Sequence, residues 1–143
     1  MKKTLFLTLV AATLSYAQMA KEMTVYKTPY CGCCGEWVKA MKKEGFKINT
    51  IVKNDINDIK QQNGITAGTS SCHTALIDGY VIEGHVDYSA IKRLLTDKPK
   101  DVKGLTVPGM VVGSPGMEMG NKKDPYNILA IKKDGTTEIY EKH

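Results

Sequence analysis

Residues 69–95 read "TSSCHTALIDGYVIEGHVDYSAIKRLL", and this stretch decides the fold. Two short apolar runs, "TALI" and "YVIEG", flank the dipeptide Asp78-Gly79. An Asp-Gly pair between such runs predicts a tight antiparallel hairpin, because its turn favours residues that tolerate positive φ. The following "DYSAIKRLLTDK" reads as a helix, with Asp87 or Ser89 near its start and Pro99 closing it. Cys72 and His73 stand immediately before the first of these strands.

Upstream, "MTVYKT" (Met23 to Thr28) alternates and is rich in β-formers, which predicts a strand. "PYCGC" is a turn, and "CGEWVKAMKKEG" is a helix with an apolar stripe of Trp37, Val38 and Met41, ended by Gly45. "FKINTIV" predicts a second strand. Asn54 or Asp55 then caps the helix "INDIKQQ", which stops at Asn63-Gly64. The polar connector "GITAGTSS" leads into the hairpin. Two strands separated by a helix are expected to run parallel, and the hairpin antiparallel. The fold class is therefore α/β, a mixed sheet flanked by helices. Downstream, "GLTVPGMVVGSPGMEMGNKKDPYN" is rich in Gly, Pro and Met and reads as a folded loop. "YNILAIKKDGTTEIYEKH" reads as a closing β-hairpin that turns at Asp134-Gly135.

The 143 residues amount to one domain. "MKK", "TLFLTLVAATL" and "SYA" supply the basic, apolar and small-residue regions of a secretory signal peptide, with cleavage expected after Ala17. The apolar run is too short to span a bilayer comfortably. Residues 1–17 are thus expected to be a signal peptide, and residues 18–143 a single exported domain in the periplasm with no membrane span. Losing Lys2 and Lys3 moves the balance from 20 basic and 15 acidic residues to 18 and 15, a net of +3. The lysines are scattered, without an arginine cluster or interleaved aromatics, so nucleic acid is not an expected partner. Nothing in the pattern specifies an oligomeric state.

Three of the four cysteines, Cys31, Cys33 and Cys34, fall within four residues. In an oxidising compartment four cysteines would ordinarily form two structural disulfides. Adjacent cysteines make that awkward, and staples confined to one turn would constrain little chain. The turn lies at the start of a helix, whose dipole and free N–H groups stabilise thiolates at Cys31 and Cys33. A dithiol redox site and a metal site both need this. Acidic residues are dispersed, with no paired acid/base spacing, and Ser70-Ser71 lack a triad.

The order of elements is thioredoxin-like, and residues 69–95 resemble the second half of a glutaredoxin. The strand, Asp-Gly turn, strand and helix fall in register with that family. Where glutaredoxins keep a cis-proline packed against their CxxC, this chain has Ser71-Cys72-His73. The resemblance implies that Cys72 and His73 approach the three N-terminal cysteines. Four sulfurs facing one another suit a soft-metal cage, since thiolates select Cu(I), zinc or iron–sulfur clusters. Zinc commonly uses two separated CxxC or Cys/His pairs. Three cysteines in four residues instead favour bridging thiolates and more than one soft ion, copper(I) rather than zinc. His73 and His85 are further candidate ligands, and Met117 and Met119 candidate thioethers. Met110 is expected to pack inward, and Met41 belongs to the core. Tyr26, Tyr30 and Trp37 are expected to pack around the site.

"TPYCGCCGEW", "SCHTALIDGYVIEGHV", "IKRLL" and "GLTVPGMVVGSPGME" together resemble the small periplasmic copper-resistance proteins of the CopG type. The resemblance covers nearly all of the chain after the leader. It implies a thioredoxin-like fold binding copper through Cys31, Cys33, Cys34 and Cys72, with support from histidine and methionine, and Met110, Met117 and the His85 of "GHV" match that family's pattern. It also implies copper tolerance alongside exporters and periplasmic copper chaperones, by sequestration, transfer or redox conversion of copper. Where that family often has a proline soon after the His-Val, this chain has Asp87-Tyr88. The alternative is a periplasmic thiol–disulfide oxidoreductase with Cys31 as nucleophile and Cys34 as resolving thiol. A third reading, a binding module stapled by disulfides, predicts no free thiols.

Overall fold

Strand β1 (Glu22–Lys27) leads into helix α1 (Gly32–Lys43), strand β2 (Lys47–Val52) and the short helix α2 (Asn57–Gln62). Strands β3 (Thr74–Ile77) and β4 (Tyr80–Glu83) form the hairpin, and helix α3 (Tyr88–Asp97) follows. Three more strands complete the chain: β5 (Val102–Thr106), β6 (Asn127–Lys132) and β7 (Thr137–Lys142). This computed structural model describes residues 21–143, so the expected leader and its cleavage point lie outside the described residues. No described helix is long and apolar enough to cross a membrane.

The seven strands form one mixed sheet in the order β2-β1-β3-β4-β5-β6-β7. As expected, β1 and β2 are parallel while β3 and β4 are antiparallel. Asp78 (φ 51°) and Gly79 (φ 82°) both take the left-handed conformation that a two-residue hairpin turn requires. Asp87 caps α3 by accepting a hydrogen bond from the Ser89 amide at 2.7 Å. At α2, Asp55 accepts from the Asn57 amide at 2.8 Å, although Ile56 holds the cap position itself.

One strand carries little signal in the sequence. Residues 102–106, "VKGLT", form β5, parallel to β4 and antiparallel to β6, within a stretch expected to be loop from Gly104 onward. A glycine in so short a run weakens the strand signal, yet here it permits a close approach. A Cβ at Gly104 would lie 1.9 Å from the Val81 carbonyl oxygen, so only glycine lets β5 lie against β4.

Alternation along the strands puts Met23, Val25, Ala75, Ile77, Ile82 and Leu105 in one apolar cluster. Trp37, Val38 and Met41 of α1 and Ala90, Ile91 and Leu94 of α3 complete it, so both helices cover the same sheet face. Burying each large apolar side chain contributes about 1.5–3 kcal/mol, and this layer fixes α1 against the sheet. On the opposite face Val81 and Ile131 pack with Ile65, just beyond α2. Register then gathers three chain ends. Tyr26 pairs with Thr74, and Thr74 with Glu83. The residues after β1, before β3 and after β4 therefore meet at one end of the sheet.

Candidate metal centre

Those three ends bring in Cys31, Cys33 and Cys34 after β1, Cys72 and His73 before β3, and His85 after β4. The Cys31 amide bonds back to the Thr28 carbonyl at 3.4 Å, closing the turn, and α1 begins at Gly32. Cys33 and Cys34 thus lie in the first helical turn, where unpaired N–H groups and the dipole favour negative charge. No side chain caps this helix end.

The four sulfurs of Cys31, Cys33, Cys34 and Cys72 all lie within 4.8 Å of one another. Cys31 and Cys34 are joined as a disulfide, with Cα atoms 5.4 Å apart, while Cys33 and Cys72 are free thiols. A fully stapled module would have no free thiol. Cys31 Sγ lies 3.5 Å from Cys33 Sγ. Burial first, then the nearby Cys33, push the Cys72 thiol up to about 11. A soft cation binding there must displace that proton.

Cys72 also belongs to a second group. One ligand atom each from Cys72, His73 and His85 lie within 4.8 Å of one another. Cys72 Sγ is 3.4 Å from His73 Nδ1 and 3.0 Å from His85 Nε2. His85 Nδ1 donates to the Pro115 carbonyl at 2.7 Å, which leaves its Nε2 as the lone-pair nitrogen facing the thiol. A carbonyl that fixes the imidazole tautomer in this way is the usual outer support of a metal-binding histidine. Burial, chiefly, lowers both histidines below their ordinary value, which favours the neutral rings that can ligate. The His73 ring sits 4.5 Å from Trp37 and 5.1 Å from His85. Its Nε2 is buried with no hydrogen-bond partner among the described residues.

The Gly/Pro/Met-rich segment passes over this cluster. Gly116 has a φ of +81°, and a Cβ there would lie 2.5 Å from the Trp37 amide nitrogen and 3.1 Å from the Cys33 carbonyl oxygen. The loop therefore presses its backbone onto the first turn of α1. Met117, next along, is half-buried. Met110 does not pack inward as expected. It is 61% exposed, because the chain turns outward at Gly109 (φ +74°), just after the buried Val107. Met119 is 63% exposed. Tyr30, 87% exposed, does not pack around the site, whereas Trp37 is buried and donates through Nε1 to the Val86 carbonyl at 2.9 Å.

Sequence reading missed two supports of the site. The Pro115 carbonyl left no signal. The buried pair Lys60–Glu83 left one, an acid inside an otherwise apolar hairpin strand, whose partner lies on a helix distant in sequence.

Comparison with solved structures finds two of the copper resistance protein CopG. Its form 2 is 35% identical with a TM-score of 0.82, covering 87% of this chain and 98% of that one. Its form 1 is 37% identical with a TM-score of 0.81, covering 85% and 96%. A family model described as a protein of unknown function, DUF411, matches residues 69–117. Comparison with curated proteins gives no match.

Proposed function

The chain belongs to the CopG family of copper resistance proteins, and from that premise we propose that it binds Cu(I) through the thiolates of Cys31, Cys33, Cys34 and Cys72. The observation that carries this reading is the convergence of all four sulfurs within 4.8 Å at the N-terminus of a helix. The donor set fits the ion, because thiolates select cuprous copper and can bridge more than one such ion. Carboxylates, which suit harder cations, are absent from both ligand groups among the described residues.

The Cys31–Cys34 disulfide is the two-electron oxidised form of the same site. Forming it from the dithiol releases two protons and two electrons, enough to reduce two Cu(II) ions to Cu(I). In the disulfide state Cys33, Cys72, His73 and His85 remain as donors. Reduction adds two thiolates and turns the site toward soft Cu(I). Copper is thus the cargo, and the dithiol couple lets the site act in sequestration, transfer or redox conversion. The leader residues favour a periplasmic setting, with copper chaperones or exporters as partners.

The disulfide also favours a second reading, a thiol–disulfide oxidoreductase using Cys31 and Cys34. Replacing Cys33 by serine separates the two. The copper reading expects lost copper stoichiometry. The oxidoreductase reading expects near-intact disulfide turnover without copper.

A further inference from the structure

Beneath the Cys72 loop, Lys60 of α2 and Glu83 of β4 form an ion pair. Lys60 is 9% exposed and Glu83 is wholly buried, and lysine and glutamate are rarely so buried unless paired. Lys60 Nζ has three acceptors: the Ser71 carbonyl at 3.0 Å, the Thr74 hydroxyl at 3.2 Å and Glu83 Oε1. Glu83 Oε1 accepts from the Ser71 amide at 2.7 Å, and its Oε2 from the Thr74 hydroxyl at 2.6 Å.

Ser71 and Thr74 flank the dipeptide Cys72-His73, and β3 starts only at Thr74. Cys72 therefore has no sheet ladder of its own, and the pair grips the chain on both sides of it. The amide and the carbonyl of Ser71 both end on this pair. We propose that Lys60 and Glu83 are positioning residues for Cys72, holding its thiol toward the Cys31–Cys34 turn.

Stability alone does not account for the pair. A buried ion pair can often be replaced by apolar side chains of similar volume without loss of stability. An apolar pair would fill the same space but would leave the amide and carbonyl of Ser71 without these partners, with only its bridge and hydroxyl contact to Gly109 to hold it. The role of Cys72 in copper binding rests on the function proposed above, whereas its placement does not.

The test separates placement from copper. In the full chain carrying Cys31→Ser and Cys34→Ser, only Cys33 and Cys72 remain as thiols. Phenylarsine oxide condenses with two adjacent thiols, forming two As–S bonds and releasing one water, so its affinity reads their juxtaposition. Adding Lys60→Met with Glu83→Leu is expected to keep the circular dichroism and weaken arsenical binding by at least about tenfold. Glu83→Gln, which keeps an acceptor for the Ser71 amide, is expected to restore binding to within about threefold. With all four cysteines present, the same double variant should lose about tenfold or more in Cu(I) affinity.

A folded double variant binding the arsenical within about twofold of its parent overturns the proposal. So does a parent that fails to bind it. Weakened Cu(I) with unchanged arsenical binding also overturns it. Weakened arsenical binding with unchanged Cu(I) upholds the positioning role and removes Cys72 from the copper site. If the double variant does not fold, Lys60→Met alone, which removes the donor to the Ser71 carbonyl, is compared with Glu83→Gln and should show the same weakening of at least about tenfold. Should Lys60→Met also fail to fold, the pair is structural and the proposal falls.

Discussion

The Pro115 carbonyl accepts a hydrogen bond from His85 Nδ1 at 2.7 Å, and this single contact turns the other ring nitrogen of His85 toward Cys72. A loop distant in sequence thereby sets the tautomer of a histidine at the thiol cluster.

Replacing His85 by alanine removes the nitrogen facing Cys72 and leaves the Pro115 carbonyl without its donor. Copper affinity is expected to fall about ten- to a hundredfold, the usual scale for disturbing such support. Competition against a chelator of known affinity checks this, and an unchanged affinity removes His85 from the site.

Gly116→Val forces a side chain into the space occupied by the backbone of Trp37 and Cys33 at a φ of +81°. The strained backbone and the clash should cost about 1–3 kcal/mol. With the loop pushed off the Cys33 carbonyl, the half-buried Cys33 thiol beside it should react faster with a maleimide. Denaturant unfolding and the alkylation rate measure the two effects.

Trp37→Phe keeps most of the apolar volume but leaves the buried Val86 carbonyl without its donor. An unsatisfied buried acceptor costs about 1–3 kcal/mol, and a urea melt should show a loss of that order. The ring against His73 changes as well, so a loss of stability with intact copper binding would assign Trp37 to the core alone.

Acid should destabilise the metal-free chain through its histidines. Burial, then the repulsion that a protonated His85 would add and the charges of Lys60 and Lys27, hold His73 well below the ordinary 6.5, and burial lowers His85. A depressed folded value means that the unfolded chain binds the extra protons. This stability is full above pH 6.5 and is lost as pH falls, by about 1.4 kcal/mol per pH unit for each histidine that stays neutral in the fold. Glu83 works in the opposite sense, since burial raises it above 4.5 despite the pull of Lys60. Comparing urea unfolding of the chain and of His73→Phe over roughly pH 5 to 7.5 isolates the histidine contribution. The variant should show the shallower slope, and equal slopes would contradict the assignment.

Much of this fold is legible in the sequence, because its signals are local. Asp78-Gly79 announces the β3–β4 hairpin, Asp134-Gly135 the β6–β7 hairpin, and Trp37, Val38 and Met41 the buried stripe of α1. β5 was hidden because Gly104 weakens its signal, and the reason for that glycine is Val81, which only the folded sheet brings near. The four cysteines were legible as a set through the place of Cys72 before a sheet strand. Their supports were not. Lys60 meets Glu83 across 23 positions and Pro115 meets His85 across 30, contacts that neither periodicity nor turn chemistry encodes. The outward turn at Gly109 likewise exposes Met110, whose residue type alone favoured the interior.

The central claim is that the four sulfurs act together on Cu(I). The most direct measurement is the number of copper ions per chain together with the number of free thiols, taken anaerobically on one reduced sample. The account predicts more than one copper per chain, with Cys31, Cys33, Cys34 and Cys72 all protected from alkylation by the bound metal. One zinc per chain, or copper that leaves these thiols reactive, would contradict it.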